Sequence, residues 1–219
     1  MRNLRNVSTS LLVLLLGACT YDASYTDPIR RSFTWFTYVS GEDIRNSCSV
    51  SSPDQLRFVY NGIYQHQVRS YDVSYASHTI KTNVRSGGLL NDLKVDDLLA
   101  PWRGETTVLE VSDQELNLLK KSVIADGVKD KPNVGLRLYS DQFYWTVAAC
   151  IDGEYHFNGY KWGNEEFDKL TFDDVLRTLD VSDVAFNEPK KLTKQEIWDT
   201  VSEADPFLIQ VDESGIVGF

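Results

Sequence analysis

The sequence predicts an α+β protein with a single domain, in which about three short helices accompany a mainly antiparallel, aromatic-rich β-sheet. Three observations lead to this class. Several β-branched and aromatic segments have strand character, three segments begin with a helix-capping pattern, and no sustained strand–helix alternation indicates a parallel sheet. The length of 219 residues, with 42% hydrophobic and 25% charged residues, fits one globular domain.

Strands are expected first from composition. The aromatic run Phe33–Val39, the tyrosine- and valine-rich segment Ile63–Tyr75 and the β-branched run Thr106–Val111 all favour β-structure. Two further segments, Leu56–Tyr60 and Thr79–Arg85, alternate between large side chains at even positions and polar ones at most odd positions. This alternation predicts half-buried strands whose even-numbered residues face the core.

The strongest hairpin signal lies between Phe143 and Trp162. Asp152-Gly153 is typical of a type I′ turn and separates two aromatic strands. With these two residues at the centre of the turn, Trp145 lies opposite Tyr160. The same register directs Cys150 to the other face, together with Tyr155 and Phe157, and the hairpin predicts a buried Cys150.

Three helices are predicted from one pattern, a hydroxyl residue followed three positions later by an acidic residue. The pairs are Ser112 with Glu115, Thr171 with Asp174, and Thr193 with Glu196. Gly127 is expected to end the first helix, and Asp205-Pro206 the last. The tail predicts a strand over Phe207–Val211, a turn, and a short strand over Ile216–Phe219.

The amino terminus has the pattern of a secretory signal peptide. Arg2 and Arg5 precede the apolar run Leu11–Leu16, which is too short to span a bilayer as a helix. The tetrapeptide that ends at Cys19, Leu-Gly-Ala-Cys, resembles the lipobox of bacterial lipoproteins, and this resemblance covers residues 1–19 only. The alternative is an ordinary signal peptide with an incidental cysteine.

The resemblance implies a lipid anchor. In this family the cysteine, here Cys19, receives a diacylglycerol, the preceding peptide is removed, and the new amino terminus is acylated. Thr20 after the cysteine implies sorting to the outer membrane. The predicted organisation is a signal peptide over residues 1–18, a lipidated tether over residues 19–32, and one α+β domain over residues 33–219.

Two cysteines remain once Cys19 is assigned to lipid. Export would place Cys48 and Cys150 in an oxidising compartment, where a pair tends to form a disulfide. Two separate buried thiols are the alternative. No CxxC, HxH or HExxH spacing occurs, so the sequence predicts neither a metal site nor another cofactor.

Charge restricts the partners. The formal net charge of -10 argues against nucleic acid, which requires a clustered positive surface. Residues 164–213 carry 14 acidic and five basic side chains, which predicts a solvated acidic face or, alternatively, a docking site for a basic partner.

Catalytic motifs are absent from the sequence: it has no GxSxG elbow, P-loop, GxGxxG run or complete SxxK set. No catalytic residue is therefore predicted, and the protein is not expected to be an enzyme. The nearest alternative is general-base catalysis by a histidine with a carboxylate, drawn from His66, Asp72, His78 and His156.

Aromatic residues concentrate in the predicted strands, where they would fill the core of a sheet. The alternative is an aromatic cleft for a lipid, glycan or peptide. The residues concerned are Trp35, Phe36, Tyr38, Tyr60, Tyr64, Tyr71, Tyr75, Tyr144, Trp145, Tyr155, Tyr160 and Trp162. On the hairpin, Trp145, His156, Tyr160 and Trp162 are the candidate ligand-facing residues.

These observations predict a membrane-anchored periplasmic lipoprotein with a non-catalytic accessory, assembly or binding role in a cell-envelope complex. Its expected partners are the membrane, through Cys19, and an envelope protein. Two alternatives stay open: a binder or carrier of a hydrophobic ligand, and an envelope hydrolase.

Overall fold

A computed structural model of the chain describes residues 35–87, 104–130, 132–197, 207–213 and 215–218. The signal and lipobox residues, the tether and the predicted helix end at Asp205-Pro206 lie outside these ranges. Among the described helices, none is both long and apolar enough to cross a membrane.

The α+β class is confirmed by two antiparallel sheets and several short helices. The strands are β1 (Gln55–Gly62), β2 (Gln67–Ser74), β3 (Thr79–Ser86), β4 (Glu105–Glu110), β5 (Arg137–Tyr139), β6 (Phe143–Ile151), β7 (Glu154–Lys161), β8 (Leu208–Asp212) and β9 (Gly215–Gly218). A main sheet has the order β4-β3-β2-β1-β6-β7, and a small sheet has the order β5-β8-β9. The strand–turn–strand prediction for the tail is confirmed by β8 and β9.

The helices outnumber the three that the capping patterns predict. They are α1 (Phe36–Val39), α2 (Glu42–Ser47), α3 (Asp113–Ala125), α4 (Glu165–Asp168) and α5 (Phe172–Leu179), and residues 194–197 are also helical. The unpredicted helices α1, α2 and α4 have four to six residues and no side-chain cap at their first residue. A search for caps could not find them.

The main sheet is packed on both faces, which produces two hydrophobic cores. The helix-side core lies under α3 and α5 and includes Leu56, Phe58, Tyr60, Ile80, Leu119, Trp145 and Phe172. The small-sheet core lies under α1 and the small sheet and includes Phe36, Val59, Tyr64, Tyr144, Phe207 and Ile209. The predicted inward positions are confirmed, because Leu56, Phe58, Tyr60 and Ile80 lie in the helix-side core. β1 is not half-buried, however, since its residues from Leu56 to Gly62 are buried on both faces.

The predicted hairpin is confirmed with its register. Trp145 pairs with Tyr160 across β6 and β7. Asp152 and Gly153 both have positive φ angles, of 55° and 81°, as a type I′ turn requires. Cys150 is 1% exposed on the small-sheet face, in agreement with the prediction that it faces a core.

The strand expected over Phe33–Val39 is wrong for its described part, which forms α1. Trp35, Phe36 and Val39 are buried, and helical spacing places them on one side. Phe36 packs against the Phe207 ring at a centroid distance of 5.6 Å. Tertiary packing therefore overrides the strand preference of the aromatic residues.

The segment Ile63–Tyr75 is not one strand. Ile63 has a φ of 63°, and the amide of His66 donates to the carbonyl of Ile63, which closes a turn before β2 begins at Gln67. The turn directly follows Asn61-Gly62, a dipeptide that is typical of turns, but the strand prediction for Ile63–Tyr75 rested on composition and did not use it.

Two of the three predicted capping boxes form as expected. Ser112 and Glu115 cap α3 reciprocally, and Thr193 and Glu196 form the same bonds before residues 194–197. At α5, however, the side chain of Thr171 caps nothing. Instead, the carboxylate of Asp126, just after α3, accepts hydrogen bonds from the amides of Thr171 and Phe172 and from the Thr171 hydroxyl, at 2.8–2.9 Å.

Cys48 and Cys150 meet, as predicted. Cys48 follows α2, Cys150 lies in β6, and their sulfur atoms are 1.97 Å apart, at bonding distance. The bond ties the first two helices to the main sheet across a separation of 102 residues.

Candidate functional site

Within the described part of the chain, the small-sheet face of the main sheet is covered over only part of its width. The second helix α2 contacts β6, and β9 contacts α1 and β7. On β3 and β4 the same face carries exposed residues, and Val108 is 61% exposed. We call this region the open face and define it by Thr79, Lys81, Asn83, Thr106, Val108 and Glu110.

Strand alternation explains why these side chains lie together. In β3, Thr79 and Lys81 point away from the buried Ile80, and the sheet register brings Lys81 opposite Val108 of β4. Asn83 donates a hydrogen bond of 2.8 Å to the Thr106 hydroxyl, and this bond connects the side chains of β3 and β4 on the open face.

Arg57 forms the boundary between the covered part and the open face. Its guanidinium donates to both oxygens of Asp43, at 2.7 and 2.9 Å, and to Asp72 at 2.5 Å. The guanidinium also lies 3.9 Å from the centre of the Tyr38 ring. Arg57 therefore connects α1, α2, β1 and β2, and its donors are engaged within the protein.

The electrostatics agree with a structural role for this cluster. Partial burial opposes ionisation of Asp43, but the hydrogen bonds from Arg57 outweigh it and hold the pKa of this carboxyl below its usual value. Burial, reinforced by the charge of Asp72, raises the pKa of Tyr38. The Tyr38 hydroxyl stays protonated and donates to Asp72 at 3.0 Å.

A depression of about 310 Å³ opens beside this cluster. The residues that line it include Asp43, Ile44, Arg57, Asp72 and Lys81. Among the described residues, the ammonium of Lys81 forms no ion pair. The other charged groups of the depression, those of Asp43, Arg57 and Asp72, are paired with one another.

The histidines do not form a shared catalytic site. His66 and His78 lie in the turns at opposite ends of β2, and His156 lies on β7. His78 meets Asp113 at 3.2 Å, but both side chains are exposed, at 54% and 81%. The nearest acid to His156 is Glu154, at 3.9 Å, and burial together with the charge of Lys129 lowers the pKa of this imidazole.

The hairpin residues expected to face a ligand lie mostly in the helix-side core. Trp145 is fully buried and contacts the Phe172 ring edge-on at 5.5 Å. The Tyr160 hydroxyl donates to the carbonyl of Asp126, and Trp162 packs partly buried against Phe143. His156 is half-buried on the same face. Trp145 and Tyr160 both pack against Phe172 of α5.

A second buried arginine was missed by sequence reasoning. Arg69 is fully buried and forms an ion pair of 2.5 Å with Asp180. It also stacks on Phe186, whose ring is contacted by Arg177 at 4.0 Å. These contacts fasten the segment after α5 to β2. The available signal was the alternation of Arg69 with Tyr71 and Val73, which placed a charge on a buried face.

The acidic segment is partly used inside the protein. Glu165, Glu166 and Asp168 of α4 are exposed, in line with the predicted solvated face. Asp180 pairs with Arg69, whereas Glu188 pairs with Arg177 at 2.6 Å. The excess of acidic residues in this segment is therefore larger than the number of unpaired acidic groups that it exposes.

We compared the sequence with known protein families and with curated proteins. No protein-family model matches the sequence, and a search of the curated proteins finds no match. In the described part of the chain, no group of three or more histidine, cysteine or acidic side chains could hold a metal ion.

Proposed function

We propose that this chain is a lipid-anchored protein of the bacterial cell envelope with a non-catalytic binding or assembly role. The observation that supports the binding role is the open face, where polar and β-branched side chains and Lys81 remain exposed beside a depression. The anchor is inferred from the lipobox resemblance that ends at Cys19.

The separation of the histidines argues for binding rather than hydrolysis. General-base catalysis requires a base and its orienting carboxylate within a substrate site. Both side chains of the His78–Asp113 pair are exposed to solvent, and among the described residues His156 has no carboxylate within hydrogen-bond distance. A hydrophobic carrier is also less favoured, since Trp145 and Tyr160 are occupied in the core.

The anchor is tested by metabolic labelling with radioactive palmitate in a bacterial host. The wild-type chain is expected to be labelled and to fractionate with membranes, and Cys19→Ala to lose both properties. The matched control is the double variant Cys48→Ala/Cys150→Ala, which should keep the label. Labelling of Cys19→Ala equal to that of the wild type would refute the anchor.

The binding role is tested with a photo-reactive amino acid at position 81, on the open face. An adduct with another envelope protein is expected there. The same probe at Leu118, which is 55% exposed on α3, is the control and should give none. Equal adducts at both positions, or none at position 81, would count against docking on the open face.

A further inference from the structure

Among the described residues, the strand β4 is an edge of the main sheet, since it pairs with β3 alone. The amide of Val111 donates to the carbonyl of His78 at 2.9 Å, and this bond fixes the phase of the ladder. In an antiparallel pair, hydrogen-bonded residues alternate with non-bonded ones. Residues 105, 107 and 109 therefore bond to β3, whereas Thr106, Val108 and Glu110 direct their backbone groups outward.

The residues that carry these outward backbone groups are exposed. Thr106, Val108 and Glu110 all belong to the open face. An edge with free amides and carbonyls is a template for another strand. Proteins commonly protect such edges with proline, a bulge or central charges, and β4 has none of these between its two terminal glutamates.

We propose that β4 pairs antiparallel with β4 of a second copy of this chain, around a two-fold axis that passes beside Val108. This inference is independent of the proposed function. It rests on the self-complementarity of the strand. With the axis at Val108, the two Val108 residues face each other, and Thr106 faces Glu110 of the second copy. On the other face of the sheet, Thr107 meets Leu109.

The alternation of backbone bonds excludes the neighbouring register. An axis between Thr107 and Val108 would set outward-facing residues against inward-facing ones, and would also set Glu105 against Glu110 of the second copy. Like charges directly opposite each other destabilise a sheet. An axis at Thr107 would leave Glu110 opposite Gly104. Only the axis at Val108 uses all three outward-facing residues.

Charge distribution agrees with this pairing. Glu110 meets a neutral threonine, so no acid faces an acid. Lys81 lies opposite Val108 within one copy, which places it in the row next to Glu110 of the other copy. Pairing would also bring the exposed Val108 side chains into contact. Because the axis is perpendicular to the sheet, both open faces lie on the same side and form one wider surface.

The test is oxidative cross-linking of Val108→Cys in the full chain, in membranes and after detergent extraction. Hydrogen-bonded antiparallel residues have α-carbons about 5.5 Å apart, within disulfide range. A cross-linked product of twice the monomer mass is expected, joined at position 108. Leu118→Cys has a similarly exposed side chain and should give no such product.

The oligomeric state supplies a second measurement. By light scattering, the wild-type chain is expected to have the mass of a dimer and Val108→Pro the mass of a monomer. Proline at position 108 removes an amide that points away from β3, so the hydrogen bonds between β3 and β4 are kept. Val108→Thr, which keeps the β-branched shape, should remain dimeric. If Val108→Pro fails to fold, the cross-linking decides.

Three results would overturn the proposal. They are a monomeric wild-type chain, cross-linking of Val108→Cys no stronger than that of Leu118→Cys, and a cross-linked product of Val108→Cys that contains only a different protein. The last result would assign the edge to another partner.

Discussion

At the scale of single residues, buried charges connect distant parts of the chain. Arg57 and Arg69 lie in neighbouring strands on opposite faces of the main sheet, and each meets acids from distant segments. Strand alternation could have predicted the burial of Arg69, which shares a face with Tyr71 and Val73, but it directed Arg57 away from the core. It could not have identified Asp43 or Asp180 as their partners, because these lie outside the sheet and reach it only through folding.

Asp180→Ala is expected to lower the free energy of unfolding by about 3–5 kcal/mol, because it leaves the buried charge of Arg69 unpaired. Urea unfolding measures this change. The control is Glu165→Ala, which removes an exposed pair with Lys169 and should change stability little. Equal effects of the two variants would show that the buried pair contributes no more to stability than the exposed one.

The contribution of Asp180 should depend on pH. Burial opposes its ionisation, but hydrogen bonds from Tyr71 and Ser182 outweigh it and hold the pKa below the usual value. An unfolded aspartate titrates near about 3.9. The stabilisation is therefore complete above about pH 4 and lost as the pH falls further. The stability difference between the wild type and Asp180→Asn should shrink below about pH 4, and a constant difference would contradict this assignment.

Gly153→Ala should cost about 1 kcal/mol more stability than Gly135→Ala, because an added Cβ at Gly153 crowds its neighbours. Both glycines have φ above +80°, so both variants share the strain of that conformation. At Gly153 the new Cβ would also lie 2.5 Å from the α-carbon of Val50, whereas nothing lies within 4 Å at Gly135. Thermal unfolding compares the pair, and equal losses would exclude the steric contribution.

At the scale of elements, the sequence predicted those strands and helices whose turn or capping residues lie within the same short segment. The Asp152-Gly153 turn and the Ser112 box each lie within one short segment, and both form as predicted. The first helix α1 and the turn at Ile63 depend on distant contacts. Phe36 packs on Phe207, and the amide of Tyr64 donates to the carbonyl of Ser140.

Asp126→Ala is expected to lower stability by about 1–2 kcal/mol, since it removes the acceptor for two amides and one hydroxyl at the start of α5. Asp174→Ala tests the box that the sequence predicted at the same helix, and should cost only a few tenths of a kcal/mol through the helix dipole. Chemical denaturation of both variants distinguishes the two caps. A larger loss of stability for Asp174→Ala than for Asp126→Ala would show that the predicted box of Thr171 and Asp174 is the cap of α5.

At the scale of the whole molecule, the disulfide decides how the amino-terminal helices are held. Because Cys48 follows α2, the bond fixes both short helices on β6, where Arg57 adds a second connection through Asp43. Helices of four and six residues have little stability alone. Their position over the small-sheet core therefore depends on these connections.

The double variant Cys48→Ala/Cys150→Ala should lose about 3–5 kcal/mol of unfolding free energy, because the closed loop restricts the unfolded chain. Reduction of the wild type should produce a similar loss in the same denaturation experiment. The reductant should have no effect on the double variant. Wild-type stability that does not change on reduction would contradict the predicted contribution of the bond.

The sequence by itself determined the α+β class, the hairpin with its register, two helix caps and the pairing of Cys48 with Cys150. These features follow from turn chemistry, side-chain periodicity and a cysteine count, all of which are local or combinatorial. Alternation also predicted that Lys81 points away from the core. Only the tertiary structure decided that this side of β3 and β4 stays exposed in the described chain, while the opposite face is buried under helices. Coverage of a sheet depends on where distant segments pack, and no local pattern encodes that.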